Sequence, residues 1–224
     1  MSPGRLMRIL LGPLFPAVGR AYRRVFVDLG RVAAAFPTLP PGSTVLDVGG
    51  GDGAVIDQIL VRHPDLRVVM VDIAPTIGGM IDASRRGNVR VFAATSVKEF
   101  CTNHEVSVDV VLLSDVLHHV SPSQRPALLR DVMSAFRERP RCLVVKDIEP
   151  TGWRAALSLF CDCHISGDRE TCLLDRDALI RLMREIDPSL AVLHTNLIEH
   201  DFPNYAIVFG DIPRLSTCKA AEPR

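Results

Sequence analysis

The chain has 224 residues, 47% hydrophobic and 23% charged, enough to bury the core of one compact domain but too few for two well-filled ones. Its 26 Lys and Arg balance 26 Asp and Glu to a formal net charge of zero, so the field that draws proteins to phosphate backbones is missing from the total, and nucleic acid is disfavoured as a partner. The six cysteines, at 101, 142, 161, 163, 172 and 218, lack the spacing of a secreted disulfide framework, and several lie in apolar runs. They read as reduced thiols of a cytoplasmic protein.

Arg5 and Arg8 precede Ile9-Leu10-Leu11 in the manner of a secretion signal, but Gly12, Pro13 and Pro16 interrupt the stretch at once. No later apolar run approaches the roughly twenty residues of a bilayer span, so stable membrane insertion is not expected. Arg20, Arg23, Arg24 and Arg31 read as the solvated face of a helix over 20–36.

From residue 44 onward, short β-branched runs alternate with helix-length segments, the pattern of βαβ units around a parallel sheet. Strands are predicted at 44–48, 67–72, 89–93, 108–114, 141–147, 190–197 and 205–210, and helices at 53–62, 76–84, 97–101, 121–137 and 175–186. The link between the last two strands, through Asp201, Pro203 and Asn204, is too short for a crossover helix, so that pair is predicted antiparallel. The expected fold is a doubly wound α/β sheet of seven strands, mostly parallel, with an antiparallel last strand. Residues 1–40 read as a helical lid segment, 41–213 as the main domain with a lid insertion at 151–174, and 214–224 as a tail.

The strongest motif is Val45-Leu46-Asp47-Val48-Gly49-Gly50-Gly51-Asp52-Gly53, a strand running into a glycine turn that opens a helix. Gly49, Gly51 and Ala54 also satisfy the looser fingerprint of NAD-binding sheets. A pyrophosphate is repelled by carboxylates, however, and Asp47 and Asp52 flank this turn, which favours a cationic ligand. Asp72 ends the second strand where a carboxylate can accept from both ribose hydroxyls of an adenosine cofactor.

In Asp47, Gly49, Gly51 and Gly53 the sequence resembles the class I S-adenosylmethionine-dependent methyltransferases, and in Leu112-Leu113-Ser114-Asp115-Val116-Leu117-His118-His119 it is similar to their small-molecule members. The resemblance implies S-adenosyl-L-methionine as cofactor and S-adenosyl-L-homocysteine as product. It makes Asp72 the ribose ligand, Ile73 the adenine neighbour, Ser114 the source of a backbone carbonyl that accepts from the methionine amine, and Leu117 a neighbour of the methionine portion. Where many family members place an Asp for the adenine amine, this chain has Thr95 and Ser96, whose oxygens are the alternatives. His118 stands where plant and fungal O-methyltransferases carry the base that deprotonates the acceptor, and an imidazole titrating near neutrality suits that task. His119 reads as structural and His164 as a second candidate base.

Asp147 and Glu149 read either as acceptor contacts or as caps of a helix around Trp153, and Lys146 as the partner of a nearby acid. Cys161, Cys163, His164 and Cys172 are spaced unlike a zinc site, so no metal is expected. The expected function is methyl transfer to a small-molecule hydroxyl. Alternatives are N- or C-methylation, a cofactor-binding module without catalysis, and an NAD-dependent oxidoreductase.

Overall fold

The computed structural model describes residues 29–153, 155, 159, 171–198 and 204–211. Seven strands form one sheet: β1 (Thr44–Val48), β2 (Arg67–Val71), β3 (Val89–Phe92), β4 (Val110–Ser114), β5 (Cys142–Ile148), β6 (Ala191–Ile198) and β7 (Asn204–Gly210). Their spatial order is β3-β2-β1-β4-β5-β7-β6. The first five run parallel, while β7 lies antiparallel to both β5 and β6. The predicted antiparallel finish is therefore present, with β7 inserted between β5 and β6 so that β7 alone opposes the rest.

Among the described residues the α-helices are α1 (Leu29–Ala35), α2 (Ala54–Arg62), α3 (Val97–Asn103), α4 (Arg125–Met133) and α5 (Arg176–Ile186). Sequence chemistry sets their starts. Ser96 and Glu99 form a reciprocal capping box at α3, Asp175 accepts from the Ala178 amide at α5, and Pro126 sits in the first turn of α4, where its missing N–H costs nothing. The sheet is buried on both faces. Leu46, Val69, Val111, Leu113 and Val145 face the α3, α4 and α5 side, and Val45, Val68, Met70, Leu112 and Val144 face α1 and α2.

Two predicted helices are corrected. Residues 76–84 form turns and bends instead: Gly78 adopts φ 71, and the segment is held by polar bonds in which the Asp57 carboxylate accepts from the Asp82 amide and from Arg85. The helix expected over 121–137 shrinks to Arg125–Met133, because 121–124 close into turns whose Ser121 carbonyl accepts from the Gln124 and Arg125 amides. Of the predicted first helix, only Leu29–Ala35 is described. Residues 1–28, most of the 151–174 insertion, and the 214–224 tail lie outside the described residues. Among the described residues no helix is long and apolar enough to cross a membrane.

Leu113 lies at the centre of the sheet, fully buried between Val48 and Val145. Leu113→Ala is expected to lower unfolding free energy by about 2–5 kcal/mol in urea titrations, the range for a core leucine truncation.

Candidate active site

The carboxyl ends of the parallel strands meet at one edge, where ligand crevices of open α/β sheets form. The turn after β1 folds back tightly: the Gly49 amide donates to the Val71 carbonyl at 2.8 Å, and Gly49 has φ 73. A Cβ on Gly49 would stand 2.6 Å from a Val116 methyl, and one on Gly50 would stand 2.2 Å from the Asp47 carboxylate. The glycines thus let the turn press against the exit of β4 on one side and over Asp47 on the other.

Asp47 is 2% exposed, and no described hydrogen bond reaches its carboxylate. Burial, and secondarily the charge of Asp72, push its carboxyl up to about 7. Asp72 accepts from the Gly51 amide at 2.9 Å and from the Ala74 amide at 2.8 Å. It therefore braces the glycine turn as well as standing at the predicted ribose position. Ile73, beside it, is 79% exposed, an apolar surface facing outward. At the end of β3, the Thr95 hydroxyl donates to the Ala93 carbonyl, and the Ser96 hydroxyl is engaged by Glu99 in the α3 capping box.

The exit of β4 carries the densest polar cluster. Ser114 ends the strand, Asp115 follows with φ 59, and a 3₁₀ turn covers Leu117–His119. Leu117 is fully buried in the core, while Val116 touches the glycine turn. His118 is 2% exposed. Its Nδ1 lies 2.5 Å from Oδ1 of the fully buried Asp147, and its amide donates to Oδ2 of the same carboxylate at 3.3 Å. The His119 ring packs 4.1 Å from that of His118, centre to centre.

Lys146 is paired with an acid as predicted: its ammonium, 1% exposed, lies 2.5 Å from Asp115. Burial raises the Asp115 carboxyl, but the Lys146 and His118 charges and bonds from Lys146 and Ser114 outweigh it and hold the group below the usual carboxylate range. Asp115, His118 and Asp147 bring ligand-type atoms within 4.8 Å of one another, a spacing that could suit a metal. The Lys146 ammonium already supplies a cation to this cluster.

The Glu149 carboxylate accepts from the Arg176 amide at the start of α5, so the helix end it meets is that of α5. Asp147 turns to His118 and to the Ile148 amide rather than to a helix around Trp153. The sequence left open which acid Lys146 meets and gave no sign of the Val116 contact, because each joins residues of neighbouring strands or turns. His164, Cys161 and Cys163 lie outside the described residues, and Cys172 is a free, exposed thiol.

A glycine turn after β1 on the carboxyl edge of a sheet whose seventh strand runs backward is the arrangement of the class I methyltransferase fold. The chain belongs to the O-methyltransferase domain family, whose profile matches residues 26–160. Among similar proteins are sterigmatocystin 8-O-methyltransferase of Aspergillus flavus, 30% identical over 44% of this chain and 26% of its own length, and aclacinomycin 10-hydroxylase RdmB of Streptomyces purpurascens, 30% identical over 68% of this chain and 41% of its own. The chain thus spans about a quarter to two fifths of these relatives. A solved structure of similar fold is CalO1, a methyltransferase in calicheamicin biosynthesis in its SAH-bound form, with a TM-score of 0.62 and 21% identity over 82% of this chain and 53% of that one.

Gly49→Ala is expected to lower thermal stability, since it combines a positive φ with a clash on Val116. Val116→Ala in the same chain should recover part of the loss, and a double-mutant cycle in urea reads the coupling. The native Asp47 carboxyl, raised from 3.8 to about 7, holds its proton longer than the unfolded chain does. Its stabilising share is complete below about pH 4 and is lost as pH rises toward 7. Asp47→Asn should therefore flatten the fall in stability across that window, by up to about 4 kcal/mol, in denaturation measured at successive pH values.

Proposed function

We propose that this chain binds S-adenosylmethionine over the glycine turn and directs methyl transfer to a hydroxyl of a small molecule, with S-adenosylhomocysteine as product. One observation carries the reading: the 2.5 Å His118–Asp147 pair stands on the same sheet edge as the turn whose Gly49 presses on Val116, two residues before that histidine.

The residues of the edge fit the cofactor. Asp47, a buried carboxylate that no hydrogen bond reaches among the described residues, favours a ligand that brings positive charge. Asp72 keeps lone pairs for ribose hydroxyls after receiving the Gly51 and Ala74 amides, and Ile73 offers an apolar surface to an adenine ring. The Ser114 carbonyl is assigned to the methionine amine, and adenine's amine to the Thr95 oxygen or to the neighbouring backbone; Ser96 is already occupied as a helix cap. When bound, the cofactor supplies an electrophilic methyl group on a sulfonium, so the protein's work is alignment and proton removal.

His118 performs the second task. Its Nδ1 is committed to Asp147, so a proton taken from the acceptor goes to Nε2, and the carboxylate both fixes that tautomer and stabilises the imidazolium as it forms. Family membership and the sterigmatocystin 8-O-methyltransferase relative support oxygen as the acceptor atom over nitrogen or carbon. The reversed β7 and the acidic turn speak against an NAD-dependent oxidoreductase. The hydroxylase name of the Streptomyces purpurascens relative favours, as a second reading, a chain that holds the cofactor without transferring its methyl group. The unbridged thiols of Cys101 and Cys172 support a cytoplasmic setting.

Calorimetric titration with S-adenosylmethionine, S-adenosylhomocysteine and NAD should show binding of the two sulfur compounds alone, tightening as pH rises through about 7 because the cation favours ionised Asp47. His118→Gln should leave that affinity unchanged and lower turnover on a panel of phenols and alcohols by about 10²-fold or more. NAD binding, or no binding, overturns the cofactor; undiminished turnover removes His118 as the base; cofactor binding with no turnover on any acceptor selects the second reading.

A further inference from the structure

Arg125 opens α4 and is 4% exposed, yet no carboxylate pairs with it among the described residues. All of its described bonds go to main-chain carbonyls. Nε donates to the Leu117 and Val120 carbonyls, both at 3.0 Å, and Nη2 donates to the Cys172 carbonyl. Leu117 and Val120 flank His118 and His119, so the guanidinium grips the turn on both sides of the histidine pair. The Cys172 amide closes the arrangement by donating to the His118 carbonyl at 2.8 Å.

The turn needs an outside support. It is a 3₁₀ turn of three residues without a side-chain cap, too short to hold its own geometry. The segment that meets it is itself anchored, since the Tyr205 hydroxyl donates to the Leu174 carbonyl at 2.9 Å and Tyr205 stands opposite Asp147 in the β5–β7 register. A buried guanidinium is costly unless its donors are met, and an apolar side chain would fill the same space without that cost. What the guanidinium adds is a rigid planar fork that reaches several carbonyls at once, which a lysine cannot reproduce.

We propose that Arg125 is the positioning residue for His118: its guanidinium ties the Leu117–His119 turn to residue 172 in the geometry that sets Nδ1 on Asp147. The proposal builds on His118 as the base, and its test reads that geometry directly rather than through turnover.

In the full chain labelled with ¹⁵N-histidine, the Nδ1 proton held between His118 and Asp147 should give a far-downfield resonance that disappears in Asp147→Asn. In Arg125→Ala and Arg125→Lys the resonance should be lost or broadened, while circular dichroism and calorimetric affinity for S-adenosylhomocysteine stay at the wild-type level. Added guanidinium ion should restore it in Arg125→Ala. A resonance unchanged in either variant overturns the proposal, as does failure of guanidinium to restore it or a wild type that lacks it. Loss of the folded spectrum in both variants also overturns it, by assigning Arg125 to the fold as a whole. Absence of S-adenosylhomocysteine binding by the wild type would count against the cofactor reading alone, because the resonance is observed without cofactor.

Discussion

The site depends on how closely the backbone after β1 can approach its neighbours. A side chain at Gly49 would collide with Val116, and one at Gly50 with the Asp47 carboxylate. Because neither carries a Cβ, the turn sits flush between the exits of β1, β2 and β4, and the Gly49 and Gly51 amides reach Val71 and Asp72. That closeness has an electrostatic consequence. Asp47 ends up buried beneath its own turn, where burial and the nearby Asp72 raise its carboxyl and disfavour the charged form.

Further along the edge, at the exits of β4 and β5, four ionisable groups are packed as two pairs, His118 with Asp147 and Lys146 with Asp115. Charges buried this deeply persist only when each has a partner of opposite sign or a set of hydrogen bonds. The pairs also divide the labour. Lys146 and Asp147 are consecutive in β5, so their side chains leave opposite faces of the strand, one meeting the β4 exit at Asp115 and the other reaching the 3₁₀ turn at His118. A single strand thereby holds both the exit of β4 and the turn that carries the proposed base.

Family membership frames these details without exhausting them. Proteins similar to this chain include some named for oxygen methylation and one named a hydroxylase, so similarity by itself leaves the reaction open. What distinguishes chemistries on a shared sheet is the set of groups on its carboxyl edge. Here that set is an acid-lined glycine turn beside a histidine whose ring is oriented by a buried carboxylate.

The sheet, the order of its strands along the chain and the glycine turn were legible in the amino-acid sequence, because they follow from local patterns: β-branched runs buried on two faces, a link too short for a crossover, and glycines where a strand opens a helix. The same locality explains the failures. The pattern over 76–84 looked helical, yet Gly78 and the Asp57 clamp on Asp82 and Arg85 hold it in turns. Glu149 could be placed near the β5 exit but not on the amide of Arg176, 27 positions away. Asp47, Asp72 and His118 were visible as residue types at telling positions. Their states were decided by the tertiary structure alone, since the burial that raises Asp47, the amides that occupy Asp72, the Asp147 carboxylate on His118 and the Arg125 grip on its turn all come from segments that only folding brings together.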